Sequence, residues 1–250
     1  NYPYPYMVGN LIWEIPFVYP NDYTGQALHG NQNPMTIADF KAAVDATVAK
    51  QGAVSLCFHA GGWMSNQQMV DIVDHSDKTH GNKVKFLNMR EMEEKIVKNM
   101  LAGHALRRAD GGDNGVRVFD INADGFMDVL IANKKAKVTR IWEPKKRLWN
   151  DIPFPSELHH DLRFGVMDQS ANAVAVTPET GWRFNGKAWV EDQSLASKQS
   201  GFRLFDINND GKVEIISNRS IKERADKTWE TLPFKFPEGT VLETKDGGDA

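Results

Sequence analysis

The chain has 250 residues, 41% of them hydrophobic and 25% charged, with a formal net charge of −3 at pH 7. Such a make-up fits a water-soluble globular protein with length for two modest domains, and it speaks against a disordered or fibrous chain. The basic residues are interspersed with acids rather than gathered into a stripe, which argues against nucleic acid, and no apolar run reaches the length needed to cross a bilayer.

The first residues, Asn1-Tyr2-Pro3-Tyr4-Pro5-Tyr6, carry no initiator Met and no charged n-region followed by an apolar h-region. The last, Lys245-Asp246-Gly247-Gly248-Asp249-Ala250, echo Ala109-Asp110-Gly111-Gly112-Asp113-Asn114, so the chain reads as an internal piece of a longer protein. Residues 1 to about 35 are rich in Pro, Tyr, Asn and Gly and read mostly as loop, with one strand candidate from Leu11 to Val18 interrupted by Pro16. Thr36 can cap a helix running to about Lys50, because Ile37, Phe40, Val44 and Val48 fall at helical spacing. Gly52 ends it. The apolar run Ala53 to His59 then predicts a central strand buried on both faces, in which Cys57 is an inert buried thiol. Asn66 is expected to cap a second helix with Met69, Ile72 and Val73 inward. Val84 to Leu87 reads as a second strand, and Arg90 to Leu101 as a third helix. Strands alternating with helices imply a parallel sheet.

His59 stands where the apolar run meets the turn Gly61-Gly62, beside Trp63. The ends of parallel strands deliver catalytic groups, although a lone His there more often caps or packs. Phe58-His59-Ala60-Gly61-Gly62-Trp63, with the strand candidate Leu11-Ile12-Trp13-Glu14-Ile15-Pro16 and Asn21-Asp22-Tyr23, resembles the C-terminal part of polysaccharide deacetylases of the NodB-like type. The resemblance covers roughly residues 10 to 101. It implies a partial (β/α) barrel and makes His59 the general acid. That family holds zinc through an Asp-Asp pair and a His-x-x-x-His motif, neither of which occurs here. His75 and His80 are five apart and His159-His160 are adjacent, so neither pair has the spacing, and zinc is expected only in a longer parent chain.

Residues 102–115 are rich in Gly, Asp and Arg and read as a linker between an α/β region, 1–101, and an all-β region, 116–250. The all-β region holds a duplicated stretch. Phe119-Asp120-Ile121-Asn122-Ala123-Asp124-Gly125-Phe126-Met127-Asp128 recurs as Phe205-Asp206-Ile207-Asn208-Asn209-Asp210-Gly211-Lys212-Val213-Glu214. Asp, Asn and Asp at alternate positions can converge three side-chain oxygens on one hard cation, and the acid four residues later closes the ring. Gly at the sixth position allows a sharp turn. An EF-hand loop would need an acid at position 12, where Ile131 and Ser217 stand, and flanking helices instead of the β-branched runs that follow. A β-loop-β calcium site is therefore favoured over a metal-free acidic turn.

These residues resemble the FG-GAP/VCBS calcium-binding repeats, each of which forms a blade of a β-propeller. The resemblance implies one calcium site at Asp120, Asn122, Asp124, Asp128 and the Phe126 carbonyl. It implies a second at Asp206, Asn208, Asp210, Glu214 and the Lys212 carbonyl, where Glu214 replaces the usual Asp. The loops begin 206 − 120 = 86 residues apart, twice the roughly 40 to 45 of one propeller blade. A degenerate blade at Phe164 to Val176 fills the interval, keeping Asp168 but placing Ser170 and Asn172 at the next two ligand positions. About three blades are expected, an incomplete propeller to be finished by further blades or another chain. Five of the seven Trp fall in this half, at 142, 149, 182, 189 and 229, and read as packing between sheets rather than as sugar-stacking platforms.

Two function classes follow. One is a piece of an extracytoplasmic carbohydrate-active protein, in which a deacetylase-like module is joined to a calcium-binding propeller that holds polysaccharide or envelope glycan. The other is a non-enzymatic, calcium-stabilised binding or scaffold protein of the cell envelope. Both place it outside the cytosol, where millimolar calcium suits exposed loops of weak affinity.

Overall fold

The computed structural model describes residues 4–8, 12–166, 172–217, 220–225, 227–234 and 236–237. The chain divides into two compact units, Asn1–Gly103 and His104–Ala250.

The first unit is mainly helical. A two-stranded antiparallel ribbon, β1 (Tyr6–Val8) and β2 (Ile12–Glu14), precedes α1 (Asp22–His29), α2 (Pro34–Ala49), α3 (Asn66–His80) and α4 (Met89–Lys95), the last running into a π-helical turn Ile96–Met100. The helix starts follow their caps. Asn21, Asn33, Ser65 and Asn88 each accept a backbone N–H of the first turn, and Ser65/Gln68 and Asn88/Glu91 form reciprocal capping boxes. α2 therefore begins two residues before Thr36, because Pro34 is pre-set for the first helical turn behind Asn33. α1 lies in a stretch that reads as loop by composition.

The parallel sheet expected here does not form. Among the described residues the only trace of it is a single parallel bridge, Phe17↔Ser55, made by Val18 N–H to Ser55 O at 3.0 Å and Ser55 N–H to Pro16 O at 2.6 Å. Pro16 has no N–H to extend that ladder. The run 53–59 is instead an extended segment laid on helices. Val54, Leu56 and Phe58, at alternate positions, pack against a core of Val18, Ile37, Phe40, Val44, Met64 and Ile72, with Phe58 stacked on Phe40 at 5.3 Å. Cys57 is half-buried. Val84 to Leu87 is not a strand either.

The second unit contains three antiparallel four-stranded meanders, each in chain order. They are β3 (Val116–Phe119), β4 (Asp128–Ala132), β5 (Lys137–Glu143) and β6 (Leu148–Pro153); β7 (Arg163–Val166), β8 (Ala173–Val176), β9 (Gly181–Phe184) and β10 (Trp189–Glu191); and β11 (Arg203–Phe205), β12 (Glu214–Ile216), β13 (Ile221–Ala225) and β14 (Thr228–Thr231). The second strands are buried throughout β4 and β8, as their unbroken apolar runs require of a strand covered on both faces. In β8 the faces divide. Ala173 and Ala175 join one core with Leu130, Ile141, Ile152, Phe154 and Phe184, while Val174 and Val176 join another with Leu195, Phe202 and Ile215. The middle sheet is thus packed between the other two.

Trp182 and Trp189 pack against the first of these cores and Trp229 against the second. Trp142 and Trp149 face each other across β5 and β6 with centroids 5.0 Å apart.

The expected fold class, a partial (β/α) barrel followed by propeller blades, is overturned. Among the described residues unit one has no sheet beyond its ribbon, and unit two is three antiparallel four-stranded meanders with no ladder joining the first to the third. The architecture is a small helical unit and three stacked antiparallel sheets. Repetition was legible in the sequence because it is a local pattern; how the sheets pack on one another depends on the angles between them, which motif spacing does not encode.

Candidate functional site

The two acidic loops each join the first and second strands of a meander, and the pairs Phe119↔Asp128 and Phe205↔Glu214 close their hairpins. The backbone follows one course in both. Ala123 and Asn209 have φ of 58° and 59°, and Gly125 and Gly211 have 84° and 85°. That left-handed turn folds the alternate side chains back over the loop's own amides.

The hydrogen bonds repeat position by position. The two oxygens of Asp120 accept from the Asp124 and Gly125 amides at 3.2 and 2.8 Å, and those of Asp206 from Asp210 and Gly211 at 3.1 and 2.9 Å. Asn122 Oδ1 accepts from Asp124 N–H at 3.2 Å, as Asn208 does from Asp210 at 3.0 Å. Asp124 and Asp210 each accept from the amide two residues on, Phe126 and Lys212, at 2.9 Å. Ionised carboxylate oxygens keep further lone pairs beyond these bonds, so the network orients the ligands without exhausting them.

The closing acids differ. Asp128 is fully buried, its oxygens accepting from Ile121 N–H at 3.0 Å and Trp142 N–H at 2.8 Å. Burial, helped by the charges of Asp124 and Asp120, pushes its pKa up to about 7 against the pull of those two bonds. Glu214 is also fully buried. One of its oxygens accepts from Ile207 N–H at 2.8 Å, and the other, Oε1, has no hydrogen-bond partner. Burial first, and then Asp210 and Asp206, raise its pKa.

A buried carboxylate oxygen without a donor, in a loop with two more acids, is what a hard cation satisfies. The donor set fits calcium: carboxylates, an amide oxygen and a backbone carbonyl, with no nitrogen or sulfur. The three acids of either loop do not all bring an oxygen within 4.8 Å of one another. Oxygens about 2.3–2.6 Å from one ion lie at most about 5.2 Å apart, so the three acids of each loop stand near or beyond the widest spacing that a calcium shell allows. Asp168 and Ser170 of the degenerate copy lie outside the described residues.

In the first unit, His59 is not packed away. Its side chain is 48% exposed, with Nδ1 2.8 Å from Asp22 Oδ1, and its own amide donates to the other oxygen of Asp22. Asp22 is fully buried in the first turn of α1. Trp63 lies 4.9 Å from the imidazole, and Tyr23 lies 5.3 Å from Trp63. With Nδ1 engaged, Nε2 is the nitrogen available for proton transfer. Sequence reading did not single out Asp22 as a partner. The signal was the Asn-Asp pair that starts a helix, hidden in a stretch that composition marks as loop.

Among the described residues no helix is long and apolar enough to cross a membrane. A scan against protein-family models gives no match, and a search of curated proteins gives none either, so the likeness to calcium-binding repeats and to deacetylases rests on the residues quoted above.

Proposed function

We propose that this protein binds calcium through its two acidic loops and uses it to stiffen a stack of sheets that serves as a binding or scaffold module outside the cytosol. The carrying observation is the duplicated loop geometry together with the orphaned Oε1 of Glu214. Calcium there neutralises acids that otherwise repel one another and supplies the partner that the buried oxygen lacks. Exposed loops of this type bind weakly enough to suit extracytoplasmic calcium, and an envelope polysaccharide is the partner class that the motif resemblance suggests. The test is thermal unfolding of the metal-stripped protein with and without calcium. The melting temperature should rise with calcium, by part of that amount in Asp124→Ala or Asp210→Ala, and not at all in the double variant; an equal rise in the double variant sinks the reading.

A second reading rests on the Asp22–His59 pair, which has the arrangement of a carboxylate-oriented imidazole able to act as general acid. It makes unit one a carbohydrate-deacetylating module. It requires turnover of acetylated oligosaccharides that His59→Ala abolishes; without turnover, the scaffold reading stands alone.

A further inference from the structure

A second kind of metal site lies in the helical unit. Asp45 on α2 and His75 and His80 on α3 bring one ligand atom each within 4.8 Å of one another, the one such trio of acidic, imidazole or thiol groups among the described residues. Both Nε2 atoms converge on the same oxygen, Asp45 Oδ1, at 2.8 Å from His75 and 2.6 Å from His80. The rings stand edge to face with centroids 6.1 Å apart, so they meet the carboxylate from two directions. The imidazoles are mostly covered, at 22% and 13% side-chain exposure, while Asp45 is 44% exposed and leaves an open side.

We propose that Asp45, His75 and His80 form a zinc site that clips α2 to α3, with solvent in the fourth position. Two imidazole nitrogens and one carboxylate select a borderline transition cation over calcium. Tetrahedral zinc, with ligands at about 2.0–2.2 Å, sets neighbouring ligand atoms roughly 3.3 Å apart. The present N···O separations need to open by only about 0.5 Å for His75 and about 0.7 Å for His80, which the exposed carboxylate permits. When Nε2 binds the metal, the proton of a neutral imidazole moves to Nδ1. Thr79 Oγ1 stands 3.3 Å from His75 Nδ1 and accepts it, the outer hydrogen bond that fixes a metal-binding histidine. Spacing along the chain hid the site, because the residues that complete it are 30 and 35 positions apart.

The experiment titrates zinc into the metal-stripped full chain in millimolar calcium, which keeps the acidic loops filled. One equivalent of zinc should bind and raise the melting temperature by roughly 10 °C at a hundredfold excess over Kd. Cobalt(II) in its place should give the visible absorption of a low-coordinate site. Asp45→Asn, His75→Gln and His80→Gln should each remove the zinc equivalent, while Asp124→Ala keeps it. Should a variant fail to fold, zinc-edge X-ray absorption of the unsubstituted protein should still report two imidazole ligands. No uptake, uptake that survives all three substitutions, or a zinc shell without imidazole overturns the proposal.

Discussion

A carboxylate oxygen buried without a donor, as Glu214 Oε1 is, destabilises a metal-free protein by a desolvation penalty of about 1–3 kcal/mol or more when charged. Glu214→Gln should therefore raise the melting temperature of the metal-stripped protein and lower that of the calcium-loaded one, a crossing that a purely structural Glu would not give. Asp128 carries a related strain through its proton. Its folded pKa of about 7 lies above its ordinary value of 3.8, so the folded state holds a proton that the unfolded chain has released. Its contribution to stability is present below about pH 4 and is lost as pH rises through 7. Denaturant unfolding of the metal-stripped protein should show that decline, and Asp128→Asn should flatten it. Ala123, at φ 58°, occupies the position that Asn209 holds in the other copy. Asn tolerates the left-handed region better than Ala, so Ala123→Asn should stabilise by about 0.5–1 kcal/mol without changing calcium stoichiometry. The loop residues were legible in the sequence because the acids and Asn of each loop fall within nine consecutive positions. Asp22 with His59 was not, because their contact spans 37 positions through a helix that composition concealed.

Among elements, the hairpins of the second unit declared themselves by β-branched runs on either side of turn-rich loops. The run 53–59 misled because apolar continuity says only that a segment is covered, and here helices cover it rather than neighbouring strands. A strand also needs a ladder partner, and that is a long-range fact. Specific bonds tie the meanders to one another. Trp189 on β10 donates its indole N–H to Thr139 Oγ1 on β5 at 2.8 Å, and Thr139 is fully buried. Trp189→Phe keeps much of the ring packing but strands that hydroxyl, and should cost about 1–3 kcal/mol in chemical denaturation. Leu130→Ala, in the centre of the fully buried β4, should cost about 2–5 kcal/mol by leaving a cavity.

At the scale of the second unit, three sheets in chain order pack so that β8 of the middle one is buried on both faces, and the acidic loops join the first two strands of the first and third. Each loop is fixed at both ends by a hairpin register, so an ion bound there adds rigidity where the sheet turns. Calcium bound only to the folded state adds about 2.7 kcal/mol per site at a hundredfold excess over Kd. The most direct test is calorimetric titration of calcium into the metal-stripped chain, read as stoichiometry. Two equivalents should bind, falling to one in Asp124→Ala and one in Asp210→Ala; a folded protein that takes up no calcium would contradict the central claim.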